Sequence, residues 1–78
     1  MHTSIIKVYN GRYGKWEKNA KVTLHWGGLL NSGFSKAVYT NAQGIAEVQH
    51  ASTGPATIYV NGKEQGKMRA PGTITVTI

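Results

Sequence analysis

Hydrophobic residues in this chain recur at every second position, in short runs, and no window of ten shows the three-and-four spacing of a helix. Ile6 and Val8 alternate within Ser4–Asn10, and Val22, Leu24 and Trp26 alternate with Lys21, Thr23 and His25 within Ala20–Trp26. Ala56, Ile58 and Val60 share one phase of Ala56–Val60, and Ile74, Val76 and Ile78 alternate with three threonines in Thr73–Ile78. β-Branched side chains are stiff at χ1 and suit a pleated surface, so each run predicts a strand with one face inward. Phe34–Tyr39, Ile45–His50 and the polar, glycine-containing Lys63–Arg69 complete the set, the last as a weak edge strand. Seven short strands separated by turns predict one all-β domain over residues 1–78, an antiparallel sandwich or small barrel with essentially no helix.

The turns carry their own chemistry. Thr40-Asn41-Ala42-Gln43-Gly44 reads as a type I turn closed by a left-handed glycine, which predicts a hairpin between its flanking strands. Asn61-Gly62 supplies the two positive-φ centres of a type I′ turn and predicts a hairpin of Ala56–Val60 with Lys63–Arg69. Pro71-Gly72 turns the chain into its last strand. Gly11–Asn19 and Gly27–Gly33 read as polar, glycine-punctuated loops.

At 78 residues the domain buries a modest core, and the absence of cysteine excludes disulfides and thiolate zinc sites as reinforcement. Association is the remaining aid, so a protein partner or a homo-oligomer is expected. Nine Lys and Arg stand against three Glu and no Asp, giving a formal charge of +6 and a field that attracts polyanions. Met1–Lys7 lacks the basic start and apolar stretch of a signal peptide, which fits a cytoplasmic protein or a domain cut from a longer chain. No apolar run reaches membrane-spanning length, so no membrane insertion is expected.

Catalytic and metal-binding patterns are sparse. His2, His25 and His50 read as surface histidines without metal-ligand spacing, and no cofactor is expected. The serines at 4, 32, 35 and 52 lack a nucleophile-elbow context, and no Asp exists to orient a histidine. Glu47 and His50, three apart on a strand, point to opposite faces. The sequence reads as non-enzymatic.

Three segments carry a family likeness. Asn19–Leu24, then Thr40-Asn41-Ala42-Gln43-Gly44-Ile45-Ala46, then Gly54–Val60 resemble the carboxypeptidase regulatory-like, or transthyretin-like, domains. The resemblance implies a seven-stranded Greek-key sandwich, used as a non-catalytic accessory or adhesion-type module. The chain departs from the pattern at Ala46, where the family usually carries a large aromatic.

Two surfaces are candidates for binding. The outward phase of the strands, Ile5, Tyr9, Ile45 and Tyr59, together with loop residues Leu29 and Leu30, forms a candidate apolar patch for a partner or a second copy. Lys7, Arg12, Tyr13, Lys15, Trp16 and Lys18 interleave aromatics with positive charge, which suits stacking of single-stranded bases on the Gly11–Lys18 loop. The leading expectation is an interaction and assembly module working through a sheet face or edge. A single-stranded nucleic-acid-binding domain is the alternative, and a carbohydrate-binding accessory module is a third.

Overall fold

The computed structural model describes residues 1–27 and 32–78, and every regular element among them is a strand. In chain order these are β1 (His2–Asn10), β2 (Lys15–Trp16), β3 (Lys21–Gly27), β4 (Ser32–Phe34), β5 (Val38–Tyr39), β6 (Ile45–His50), β7 (Gly54–Val60), β8 (Lys63–Ala70) and β9 (Thr73–Thr77). The alternation in the sequence becomes alternation in burial. β1 buries Ser4, Ile6, Val8 and Asn10, β3 buries Val22, Leu24 and Trp26, and β7 buries Ala56, Ile58 and Val60. These side chains meet Ala46 and Val48 of β6, Met68 of β8 and Val76 of β9 in one core cluster between two sheets. Trp26 is its one aromatic member.

In the first sheet β1 is central. On one side it pairs with β6 along His2–Lys7 and with β2 at Tyr9 and Asn10; on the other it pairs with β9. The β1–β9 pairing is parallel, which corrects the expectation of a purely antiparallel fold. In the second sheet β3 pairs with β7, and β7 with the edge strand β8, while β4 and β5 lie end to end along the other side of β3. The expected Phe34–Tyr39 strand is thus two pieces. Its interruption is local: Ser35 N–H donates to the Leu24 carbonyl at 2.8 Å, and its hydroxyl accepts from Leu24 N–H at 2.9 Å. Ser35 occupies both backbone groups of Leu24, so strand pairing stops there.

Gly11–Asn19, expected as a loop, folds back on β1 through β2. Asn10 drives the reversal, because its side-chain oxygen accepts from both Arg12 and Tyr13 N–H at 3.0 and 3.1 Å. The Asn61-Gly62 hairpin forms as expected, with φ of 54° and 83° at its two centres. Asn61 also accepts from Lys21 N–H at 2.9 Å and so fixes the hairpin to the start of β3. Within β7–β8 the register slips at Gln65, the bulge device of an edge strand.

The Thr40–Gly44 segment turns as predicted and joins the wrong partners for a hairpin. Asn41 Oδ1 accepts from Gln43 and Ile45 N–H, and Gly44 takes φ 75°. Yet β5 pairs with β3 in one sheet and β6 with β1 in the other. Backbone hydrogen bonding on each side decides this. Thr40 exchanges bonds with Ala20 and Asn19, at 2.9 and 3.0 Å, whereas the Gly44 carbonyl accepts from Val8 N–H at 2.8 Å. The turn is a corner between sheets.

Gly44 has no room for a side chain: a Cβ there would stand 2.6 Å from the Val8 carbonyl oxygen and 3.1 Å from Trp16 Cβ. Gly44→Ala is expected to destabilise the fold by about 2–3 kcal/mol through positive-φ strain and this clash. Urea unfolding would report it as a lower midpoint at unchanged slope. A loss under roughly 0.5 kcal/mol, the range of neutral surface changes, would contradict the corner geometry.

Candidate functional site

Pairing partners in a sheet share a face, so register shows which outward residues stand together. On the outer face of the first sheet, Ile5 lies between Glu47 and Thr73, Lys7 between Ile45 and Thr75, and Tyr9 between Trp16 and Thr77. On the second sheet, Lys21 stands beside Tyr39, and Thr23 is followed across the strands by Tyr59 and Glu64. In the next row Phe34, His25, Thr57 and Lys67 follow one another, and Pro55 stands beside Arg69.

The candidate apolar patch is therefore divided. Ile5, Tyr9 and Ile45 lie on one outer face, with Lys7 set among them, and Tyr59 lies on the opposite face of the sandwich. All four are outward and half-buried, as their phase predicts. They part because β1 and β6 belong to one sheet and β7 to the other. Leu29 and Leu30 lie outside the described residues.

The aromatic, basic loop also has a definite geometry. Trp16 and Tyr9 pack edge to face at 5.2 Å, and Trp16 covers Gly44. Tyr13 sits at the exposed tip with Arg12 Cζ and Lys15 Nζ each 6.0 Å from its ring centroid. Both rings already have intramolecular partners. Arg12 and Tyr13 also border a shallow cleft of about 380 Å³ that takes in Lys63 from the β7–β8 hairpin. Lys18 is exposed just after β2.

A different aromatic cluster occupies the second sheet. His25, Phe34 and Tyr59, from the three adjacent strands β3, β4 and β7, stand ring to ring: His25–Phe34 4.5 Å, Phe34–Tyr59 5.7 Å and His25–Tyr59 6.4 Å. Phe34 is 65 % exposed, and Tyr39 extends the aromatic surface at 61 %. Shallow clefts border the cluster on two sides, one of about 430 Å³ reaching Lys21 and Thr23, the other of about 390 Å³ reaching Thr57 and Lys67. The cations on this face are Lys21, Lys67 and Arg69, and Glu64 is the one carboxylate among the paired rows. Sequence phase placed both Tyr59 and His25 outward, but neither His25 nor Phe34 was among the candidate binding residues. The signal was available for His25, whose phase in β3 is outward; the pairing of Phe34 with it was not.

No protein-family model, curated protein or solved structure matches this chain.

His50 departs from the expectation of a surface histidine: it is 4 % exposed and stacks on Trp26 at 5.0 Å. A carbonyl only accepts, so Nδ1–H donates to the Ser52 carbonyl at 2.6 Å. In the neutral ring Nε2 then accepts the Ser4 hydroxyl proton at 2.8 Å, and Ser4 Oγ accepts from Gly72 N–H at 3.2 Å. The pair has the proximity of a base-activated hydroxyl, but Ser4 is fully buried, out of reach of a substrate. It works as a clamp joining β1, β6 and the turn before β9. Among the described residues, no three His, Cys, Asp or Glu side chains converge on a metal position, and no helix is long and apolar enough to cross a membrane.

Removing the hydroxyl orphans the buried His50 Nε2 and the partly buried Gly72 N–H, so Ser4→Ala is expected to cost about 1–3 kcal/mol of stability. A double-mutant cycle with His50→Phe is expected to show a coupling of roughly 1 kcal/mol. Strictly additive unfolding midpoints would mean that the two groups do not interact.

Proposed function

We propose that this chain is a non-enzymatic interaction module whose working surface is the outer face of the second sheet. The His25–Phe34–Tyr59 cluster carries the reading. Three rings from adjacent strands, one of them two-thirds exposed, form a hydrophobic platform held on rigid elements. Lys21 on β3 and Lys67 and Arg69 on β8 flank it and outnumber Glu64, which stands beside Tyr59, so the partner is anionic and offers flat or apolar groups. A second copy of the same face meets like charge, which disfavours face-to-face self-association.

The architecture supports the likeness to transthyretin-like accessory domains. Nine strands form two sheets packed on one core, with β4 and β5 end to end along β3, which is the coarse architecture such a domain requires. The edge is a poorer docking site than the face. β8 presents Lys63, Glu64, Lys67 and Arg69 outward and carries the bulge, both of which discourage an added strand.

Amide chemical shifts on titration with heparin and with poly-glutamate test the location. The expected perturbations fall on Thr23, His25, Thr57, Tyr59 and Lys67, and Tyr59→Glu is expected to weaken binding several-fold while the spectrum stays dispersed. Perturbations confined to Gly11–Lys18 would move the site to the loop, and their absence with every polyanion would refute an anionic partner.

A further inference from the structure

We infer that the face of the second sheet is a binding site for single-stranded nucleic acid, with bases stacked on Phe34 and Tyr59 and phosphates neutralised by Lys21, Lys67 and Arg69. The inference rests on the proposed function and names the partner.

Four features carry it. The first is an open ring set on the sheet itself: Phe34 and Tyr39 are largely exposed on paired strands, whereas Tyr13, as exposed, lies in the turn between β1 and β2, and Trp16 packs against Tyr9. Second, His25 and Tyr59 brace Phe34 through ring contacts, so the platform is pre-ordered and its stacking loses little side-chain freedom. Third is the arrangement of charge. Lys21 is four residues from His25 along β3, and Lys67 is two strands away in the row of His25. Standard strand dimensions put the two Cα atoms roughly 16 Å apart on a diagonal that passes over Tyr59, with Phe34 to one side of it on β4 and Glu64 next to Tyr59 on β8. Cations on two sides of an open ring, with a second ring beside it, suit a single strand held with its backbone on charge and its bases on rings. Fourth, Thr23 beside Tyr59 and Thr57 between His25 and Lys67 supply hydroxyls bordering the rings, where base edges or sugar oxygens would lie.

Single strands are favoured over duplexes and over acidic proteins. A duplex keeps its base faces stacked internally and offers the rings nothing to stack on. An acidic peptide satisfies the cations and leaves the exposed π-faces without a comparable partner.

The test is fluorescence anisotropy with labelled twelve-nucleotide oligo-dT, with unlabelled heparin, poly-glutamate and a twelve-base-pair duplex as competitors, from low to physiological salt. Oligo-dT is expected to bind more tightly than the duplex, with a slope of log K against log salt of roughly −2 for three phosphate contacts. Phe34→Ala is expected to weaken oligo-dT roughly ten-fold, the scale of one lost base stack, and heparin less than two-fold. Lys21→Glu with Lys67→Glu is expected to weaken both. Trp16→Ala serves as the loop control and is expected to change neither, and circular dichroism on each variant checks the fold.

Equal loss of oligo-dT and heparin affinity in Phe34→Ala, or none in either, would overturn stacking while leaving an anionic partner in place. Poly-glutamate binding without oligo-dT binding would overturn the nucleic-acid assignment in favour of an acidic protein. Oligo-dT binding abolished by Trp16→Ala alone would transfer the site to the loop. Failure of every polyanion to bind would bring down the proposed function as well.

Discussion

The fold depends on how the Thr40–Gly44 corner is hydrogen-bonded. Thr40 is almost fully buried, and its backbone is exchanged with Ala20 and Asn19. Its hydroxyl accepts from Ala20 N–H at 2.9 Å and donates to the Glu17 carbonyl at 2.6 Å. One residue thus satisfies backbone groups from the segment entering β3, where an unmet buried donor or acceptor would cost about 1–3 kcal/mol each. Four residues later Gly44 does the corresponding task for β1 and is pressed under Trp16. The chain enters the corner committed to one sheet and leaves it committed to the other.

That sorting determines what each outer face shows. Once β6 goes with β1, the first sheet turns out threonines, Ile5, Ile45 and Lys7, with Trp16 folded onto Tyr9 at its end. Once β7 goes with β3, and β4 docks on the far side, three outward rings from distant parts of the sequence become neighbours. The second cluster is a product of strand order. Its members are 9, 25 and 34 residues apart in pairs along the chain, and no local sequence window contains them all.

Period-two patterning made the inward and outward assignment readable from sequence, which is why the outward phase of Ile5, Tyr9, Ile45 and Tyr59 and the buried phases of β3, β7 and β9 agree with the structure. Asn61-Gly62 was readable because a type I′ turn admits few residue pairs. Asn41–Gly44 was readable as a turn but not as a corner, since identical turn chemistry serves hairpins and sheet crossings. The parallel β1–β9 pairing and the Ser4–His50 clamp, 46 residues apart, depend on tertiary registration and leave no local signature. Asn10 was the legible cause of the β2 fold-back, an Asx turn ahead of Arg12 and Tyr13 that a purely hydrophobic reading passes over.

A face, rather than a loop or an edge, is where so small a basic protein can place a binding surface without loosening its core. Among the described residues the buried apolar side chains form the cluster around Ile6, Leu24 and Ile58, and the buried polar hubs Thr40 and His50 are fully engaged. The outer face of the second sheet carries none of that burden. Its central strands β3 and β7 are fixed from beneath by Val22, Leu24, Ala56, Ile58 and Val60, so His25 and Tyr59 are positioned by the core and in turn brace Phe34 of β4. The Gly11–Lys18 tip has the charge for capture and the exposed Tyr13, but Trp16 is packed against Tyr9 and Tyr13 lies in the turn between β1 and β2 with no neighbouring ring on a paired strand. Long-range attraction belongs to the whole +6 surface, and short-range recognition to the sheet face where open rings and cations coincide on paired strands.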